Sequence, residues 1–265
     1  MGIVTAVLSA PYRILRGTLG AMGYEMTVRS RDSEARFRQG LNLNVGAGKY
    51  HLPGFVSLDY ITDYYHGSVK STANLVHYDV RSDPLPYEEA TVANIYASHV
   101  IEHVETEHVE RFIAEAYRVL KPGGVLRIVC PDARFLYQVS TFENAFWTWR
   151  QDQFQRDERY RVTGQVTSSD CLTRELASVK MRHYLQANED TMPPFDVAER
   201  DYEELLKEYR EGLAFNPDQP GDHINGWDFN RLHQIGVAKG FAHVIESKHR
   251  GSVSAAMQGP DIDRT

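Results

Sequence analysis

Residues 96–104, YASHVIEHV, place His99, Glu102 and His103 in the order H-x-x-E-H. Two imidazoles four apart share one face of a helix, and a carboxylate beside them can activate a metal-bound water, the arrangement of a metal-peptidase helix. That reading requires a third ligand, room for the water and a helix through the whole motif. With 11 histidines and 36 acidic residues in 265, such letters also arise by chance, so the flanking residues decide.

Those residues form a series of short apolar runs that end in polar groups. Leu41, Leu43 and Val45 lead into Gly46-Ala47-Gly48; the run from Val56 reaches Asp59 and Tyr60; NLVHYDV ends at Asp79 and Val80; VANIYASH ends at Ser98 and His99; GVLRIVCPD ends at Asp132. Parallel strands read this way when ligands gather beyond their carboxyl ends. Glycines at 46 and 48 let backbone approach a ligand where a Cβ would intrude. An acid at the end of the next strand suits a ribose diol. A nicotinamide-dinucleotide fingerprint would place a third glycine where His51 stands and a full helix before the acid. Only Lys49 to Phe55 separate Gly48 from Val56, too few for a long helix, so a nucleotide-dependent oxidoreductase is the poorer fit.

These runs require an α/β frame. TEHVERFIAEAYRVLKPGG sets Val109, Phe112, Ile113, Ala116 and Leu120 on one helical face, with Thr106 as the expected cap and Pro122-Gly123-Gly124 as the stop. Strand, helix, strand follow in order. Residues 1–40 read as an N-terminal extension and 41–141 as the first part of the core. Residues 142–222 read as a helical cap, 223–256 as the returning core with a helix and a strand pair, and 257–265 as a loose tail. The cap's Phe146, Trp147, Trp149, Phe154 and Tyr160 are candidates for an acceptor platform or a local core; His183, Asp222 and His223 are candidates to close over an acceptor.

LNLNVGAG, VSLDY, HYDV and YASHVIEHV…YRVLKPGGVLRIVCPD, taken in order, resemble the class I S-adenosylmethionine-dependent methyltransferases, over roughly residues 40–137 and again in GFAHVIES. The resemblance implies a Rossmann-like fold with a mostly parallel seven-stranded sheet, helices on both faces and a helical insertion after the fifth strand. It implies S-adenosyl-L-methionine as cofactor and S-adenosyl-L-homocysteine as product. Asn44, Gly46, Gly48 and Ser98 would flank its methionine and ribose, Asp59 and Tyr60 the ribose, and Asp79 and Val80 the adenine. His99 would stand beside the sulfonium as proton acceptor, supported by Glu102 and His103, with Asp132 facing the acceptor. The family usually carries an acid where Asn42 stands and often a glycine where Asn44 stands, which leaves the grip on the methionine ammonium open. A subgroup with amides there and a short first crossover resembles small-molecule and glycan methyltransferases. O-methylation of such a hydroxyl is therefore expected, with no metal ligand assigned and a divalent-metal requirement left open; a non-catalytic, cofactor-binding partner subunit is the alternative.

Chain-wide composition narrows the rest. A net charge of −7 argues against a broad grip on nucleic acid. Cys130 and Cys171 supply no disulfide framework, as expected in the cytoplasm. The N-terminal apolar run stops at Arg13, short of the ~20 residues that span a bilayer. It reads as a segment docking on the body or on a second subunit, which allows a homodimer.

Overall fold

The computed structural model describes residues 21–30, 40–61, 75–141, 146–148, 150, 167–181, 197 and 200–263. Among them, seven strands form one sheet in the order β4-β3-β2-β5-β6-β1-β7. They are β1 (Ala21–Thr27), β2 (Leu41–Val45), β3 (Val56–Asp59), β4 (Leu75–His77), β5 (Val92–Ser98), β6 (Leu120–Pro131) and β7 (His243–Ser247). Strands β2 to β6 pair in parallel, and β1 lies antiparallel between β6 and β7. The chain steps outward from β2 to β4 and then returns to β5 on the other side of β2. The carboxyl ends of β2 and β5 therefore flank a topological switch point, where such sheets open a crevice.

Alternating side chains give the sheet two packed faces. Ile95 and Ala97 of β5 and Leu126, Ile128 and Cys130 of β6 join a core with helix α1 (Thr106–Val119). Val109, Phe112 and Ile113 of α1 are fully buried or nearly so, each contributing roughly 1.5–3 kcal/mol by leaving water. Thr106, the expected cap, is instead the first helical residue, and its hydroxyl accepts from Asn225 and Arg231. On the opposite face Tyr96, Val125 and Val129 pack against Leu52, Met257 and Ile262.

The carboxyl-terminal segment departs from expectation. Residues 251–257 form no strand; β7 pairs instead with β1, drawn from the stretch read as an extension. The 257–263 stretch, expected to be loose, is packed, with Asp263 only 2% exposed. Arg127 on β6 explains both. Its guanidinium is fully buried between Glu25 of β1 and Asp263, and a buried cation needs such partners. Asp263 also accepts from Arg250 N at 2.7 Å, and Glu25 accepts from Val253 N at 3.0 Å. Side-chain bonds thus hold this segment where a strand ladder was expected.

Beyond β6 come α2 (Ala133–Ser140), α3 (Ser168–Leu176), α4 (Tyr202–Arg210) and α5 (Phe229–Ala238). Leu136, Phe146, Trp147, Leu172, Leu176, Leu205 and Tyr209 build a second core between α2, α3 and α4. Phe146 and Trp147 are buried there, so they form local core and present no platform. Trp149, Phe154, Tyr160 and His183 lie outside the described residues. No helix of the described residues is long and apolar enough to cross a membrane.

Candidate active site

The turn after β2 brings its glycines to the end of β3. Gly46 and Gly48 take φ of +67° and +51°, the left-handed region that glycine enters without strain. Gly46 N and Ala47 N donate to Leu58 O at 2.8 and 3.2 Å, and Gly48 N donates to Asp59 Oδ2 at 2.5 Å. Asp59 Oδ1 accepts from Tyr60 N at 2.7 Å. Burial raises the Asp59 pKa above the ordinary carboxylate value, outweighing the two amide donors that lower it. A Cβ on Gly46 would meet Val100 Cγ2, whereas one on Gly48 would meet nothing within 4 Å and would enter open space.

That space is a cavity of about 310 Å³ over the switch point. Asn44, Gly46, Gly48, Asp59, Tyr60, Asp79, Val80, Ser98, His99 and His103 all line it. Asp132 does not. It caps α2 by accepting from Phe135 N at 2.9 Å, and Ala133 N beside it bonds Trp227 O. The strand-end aspartate is thus spent on starting a helix. Asn42 also serves the scaffold: its amide accepts from Asn94 at 2.8 Å and donates to Gly54 O at 3.3 Å. Asn44 donates to Tyr50 O at 3.0 Å.

Several lining residues escaped the sequence. Arg81 pairs with both oxygens of Asp79, at 3.0 and 2.7 Å, and lays its guanidinium 3.8 Å over the Phe215 ring and 4.9 Å over Tyr60. Phe215 and Pro220 arrive from the segment after α4, and Asp261 from the carboxyl-terminal segment. The only local signal was the aromatic and charged wording of HYDVR; Phe215 and Asp261 reach the cavity from more than 100 residues away in sequence.

At the end of β5 the H-x-x-E-H motif is no α-helix. His99 has φ +54°, strained for a non-glycine residue, and Ile101–His103 form a single 3-10 turn. His99 and His103 therefore do not present the shared helical face of a peptidase. Instead His99 Nδ1 lies 2.9 Å from Glu102 Oε1, and Glu102 is 1% exposed. Burial pulls the His99 pKa down, but the bond to Glu102 and its charge prevail and leave it raised. Burial pushes Glu102 up, yet His99 and the neighbouring imidazoles bring it to about 2. Burial lowers His103 to about 4 despite Glu102. The segment returning toward α5 clamps this turn: Ile224 N and Asn225 N donate to Glu102 O, and Trp227 Nε1 donates to Ile101 O at 2.8 Å.

A family model described as a methyltransferase domain matches residues 57–128, from β3 to β6. No curated protein sequence matches the chain. Among solved structures, similarity is found to a SAM-dependent methyltransferase from Archaeoglobus fulgidus, at 16% identity and TM-score 0.26 over 45% of this chain and 48% of that one. The chain thus spans about half the length of that protein. PKMT2 from Rickettsia typhi in complex with AdoHcy is 12% identical, with TM-score 0.35 over 76% of this chain and 38% of that one. A possible histamine N-methyltransferase from Thermotoga maritima is 14% identical, with TM-score 0.30 over 69% and 80%. The segment that resembles a methyltransferase domain carries the acid-bearing strand and the strand ending at His99, both of which border the cavity beside the glycine turn.

Proposed function

We propose that the protein moves a methyl group from S-adenosyl-L-methionine to a hydroxyl of a small molecule or glycan precursor, with His99 accepting the hydroxyl proton. One observation carries this reading: the His99–Glu102 pair lines the same cavity as Asp59 and the glycine turn. A carboxylate cannot donate, so the Nδ1 proton points at Glu102 and the lone pair of the neutral ring stands on Nε2. Nε2 is buried and has no hydrogen-bond partner among the described residues, as suits an atom kept for a substrate proton.

The residues present fit the cofactor. Gly48 leaves open the space a Cβ would take, and Asp59 holds a carboxylate at that edge for the ribose hydroxyls. Tyr60, Val80 and the Arg81–Phe215 stack offer flat and apolar walls to the adenine. Asn44 and Asp261 are assigned to the methionine ammonium, Asp261 supplying the acid that Asn42 lacks. When bound, the cofactor supplies a methyl carbon activated by its sulfonium. The protein aligns the acceptor oxygen for in-line approach, excludes water, and takes the proton at His99 Nε2, while Glu102 balances the imidazolium. The cytoplasm is the proposed location, in keeping with two buried free cysteines.

Thermal shift with S-adenosyl-L-homocysteine and with NAD tests the cofactor. Stabilisation by the first alone supports the reading; stabilisation by NAD alone defeats it. Turnover on a panel of sugar and lipid hydroxyls then tests the chemistry. A non-catalytic partner subunit would bind S-adenosyl-L-homocysteine and methylate none of them.

A further inference from the structure

We propose that Glu102, His103 and His223 form a binding site for one first-row divalent transition-metal cation beside the cavity, where His103 reaches its wall. Ligand atoms of the three residues lie within 4.8 Å of one another. Their identities follow from the bonds each residue already makes. His103 Nδ1 is 3.0 Å from Asp222 O, and His223 Nδ1 is 2.5 Å from Glu175 O. A carbonyl oxygen can only accept, so both Nδ1 atoms carry the proton and each ring keeps its Nε2 lone pair available. Glu102 spends Oε1 on His99, while Oε2 is buried and without a hydrogen-bond partner among the described residues. An unpaired carboxylate oxygen in a side chain 1% exposed is costly, and a cation placed between it and the two Nε2 atoms removes that cost.

Outer bonds of this kind, from the second ring nitrogen to a carbonyl, are what orient metal-ligating histidines. Two imidazoles and one carboxylate favour manganese through zinc over magnesium or calcium, which prefer all-oxygen sets. Metal–ligand bonds of about 2.0–2.2 Å at tetrahedral angles put donors about 3.4 Å apart, so a bound cation draws in ligand atoms that now lie within 4.8 Å of one another. The backbone between them is already fixed, because Ile224 N bonds Glu102 O at 2.9 Å. His103 lines the cavity, so one of the three ligands stands at its wall, while Glu102 and His223 lie behind it. The H-x-x-E-H letters thus encode a metal set after all, but with Glu102 as a ligand and His223 in place of His99.

Binding at this site stands on its own; a role in holding the acceptor oxygen against the methyl donor rests on the methyl-transfer reading. Cobalt(II) is the probe, titrated into protein stripped with EDTA and followed by visible absorption. The expected result is one equivalent bound with ligand-field bands, displaced by zinc. In His223→Ala and in Glu102→Gln, affinity should fall at least tenfold, while His108→Ala, outside the cluster, keeps it. A cooperative thermal unfolding transition without added ligand verifies that each variant is folded. Failure of wild type to bind cobalt, or binding that survives both substitutions, overturns the site. Cobalt binding without any response to S-adenosyl-L-homocysteine would sink the methyl-transfer reading and leave the metal site standing. The reverse outcome would do the opposite.

Discussion

Gly46 and Gly48 are two residues apart, both in the left-handed region, yet substitution by alanine should harm different properties. At Gly46 a methyl would collide with Val100 Cγ2. Left-handed backbone costs a non-glycine residue about 1–2 kcal/mol, and forcing a methyl into packed space adds about 1–3. Gly46→Ala should therefore lose about 2–5 kcal/mol of stability. At Gly48 the backbone cost is the same, but no atom stands within 4 Å. Gly48→Ala should lose only about 1–2 kcal/mol, and its methyl instead takes cofactor space, weakening S-adenosyl-L-homocysteine at least tenfold, about 1.4 kcal/mol. Urea denaturation measures the first quantity and calorimetric titration the second. Adding Val100→Ala should recover the packing part of the Gly46→Ala loss and none of the backbone part, a coupling that a double-mutant cycle isolates. Equal stability losses at the two glycines, or unchanged affinity in Gly48→Ala, would refute the assignment of one glycine to packing and the other to the ligand.

Replacing His99 by alanine should lower turnover by about 10²–10⁴-fold while S-adenosyl-L-homocysteine binds nearly as before; parallel loss of both in steady-state kinetics and titration would give His99 a structural or cofactor-binding role. Asp263→Ala strands the buried Arg127 charge with only Glu25 as counter-ion and should cost about 3 kcal/mol in urea denaturation; a loss under 1 kcal/mol would show that the carboxyl-terminal segment is not held by this pair. Glu115 is held below the ordinary glutamate value of 4.5, first by its hydrogen bond to Arg118, against partial burial. A depressed folded pKa means the contribution is present above pH 4.5 and disappears as pH falls through the folded value. Glu115→Gln should therefore flatten the stability profile on the acid side of that pH, and an unchanged acid limb would remove Glu115 from the cause.

What the sequence disclosed is what is local. A strand that ends in Gly-Ala-Gly and another that ends in Asp eleven residues later must meet if the two are parallel neighbours, and Gly48 N bonds Asp59 because they are. The periodicity of α1 likewise needs no distant information. β1 was missed because it carries Glu25 in its interior, a charge that breaks the apolar pattern of a buried strand; the reason for that charge is Arg127, 102 positions away. A buried ion pair erases the hydrophobic signal at both of its ends, so the sheet's antiparallel edge was assigned to the more apolar residues 251–257, which Glu25 instead ties down by its side chain. Asp132 failed for the opposite reason: aspartate after a strand serves equally as a ligand or as a helix cap, and only the bond to Phe135 N separates the two. The same ambiguity governs H-x-x-E-H. Spacing suggested that His99 and His103 act together, but a left-handed turn at His99 gives it Glu102 as partner and leaves His103 to face His223, ring centroids 4.9 Å apart. Helical spacing predicts chemistry only where the helix exists, and here one residue of unusual backbone reassigns every side chain that follows it.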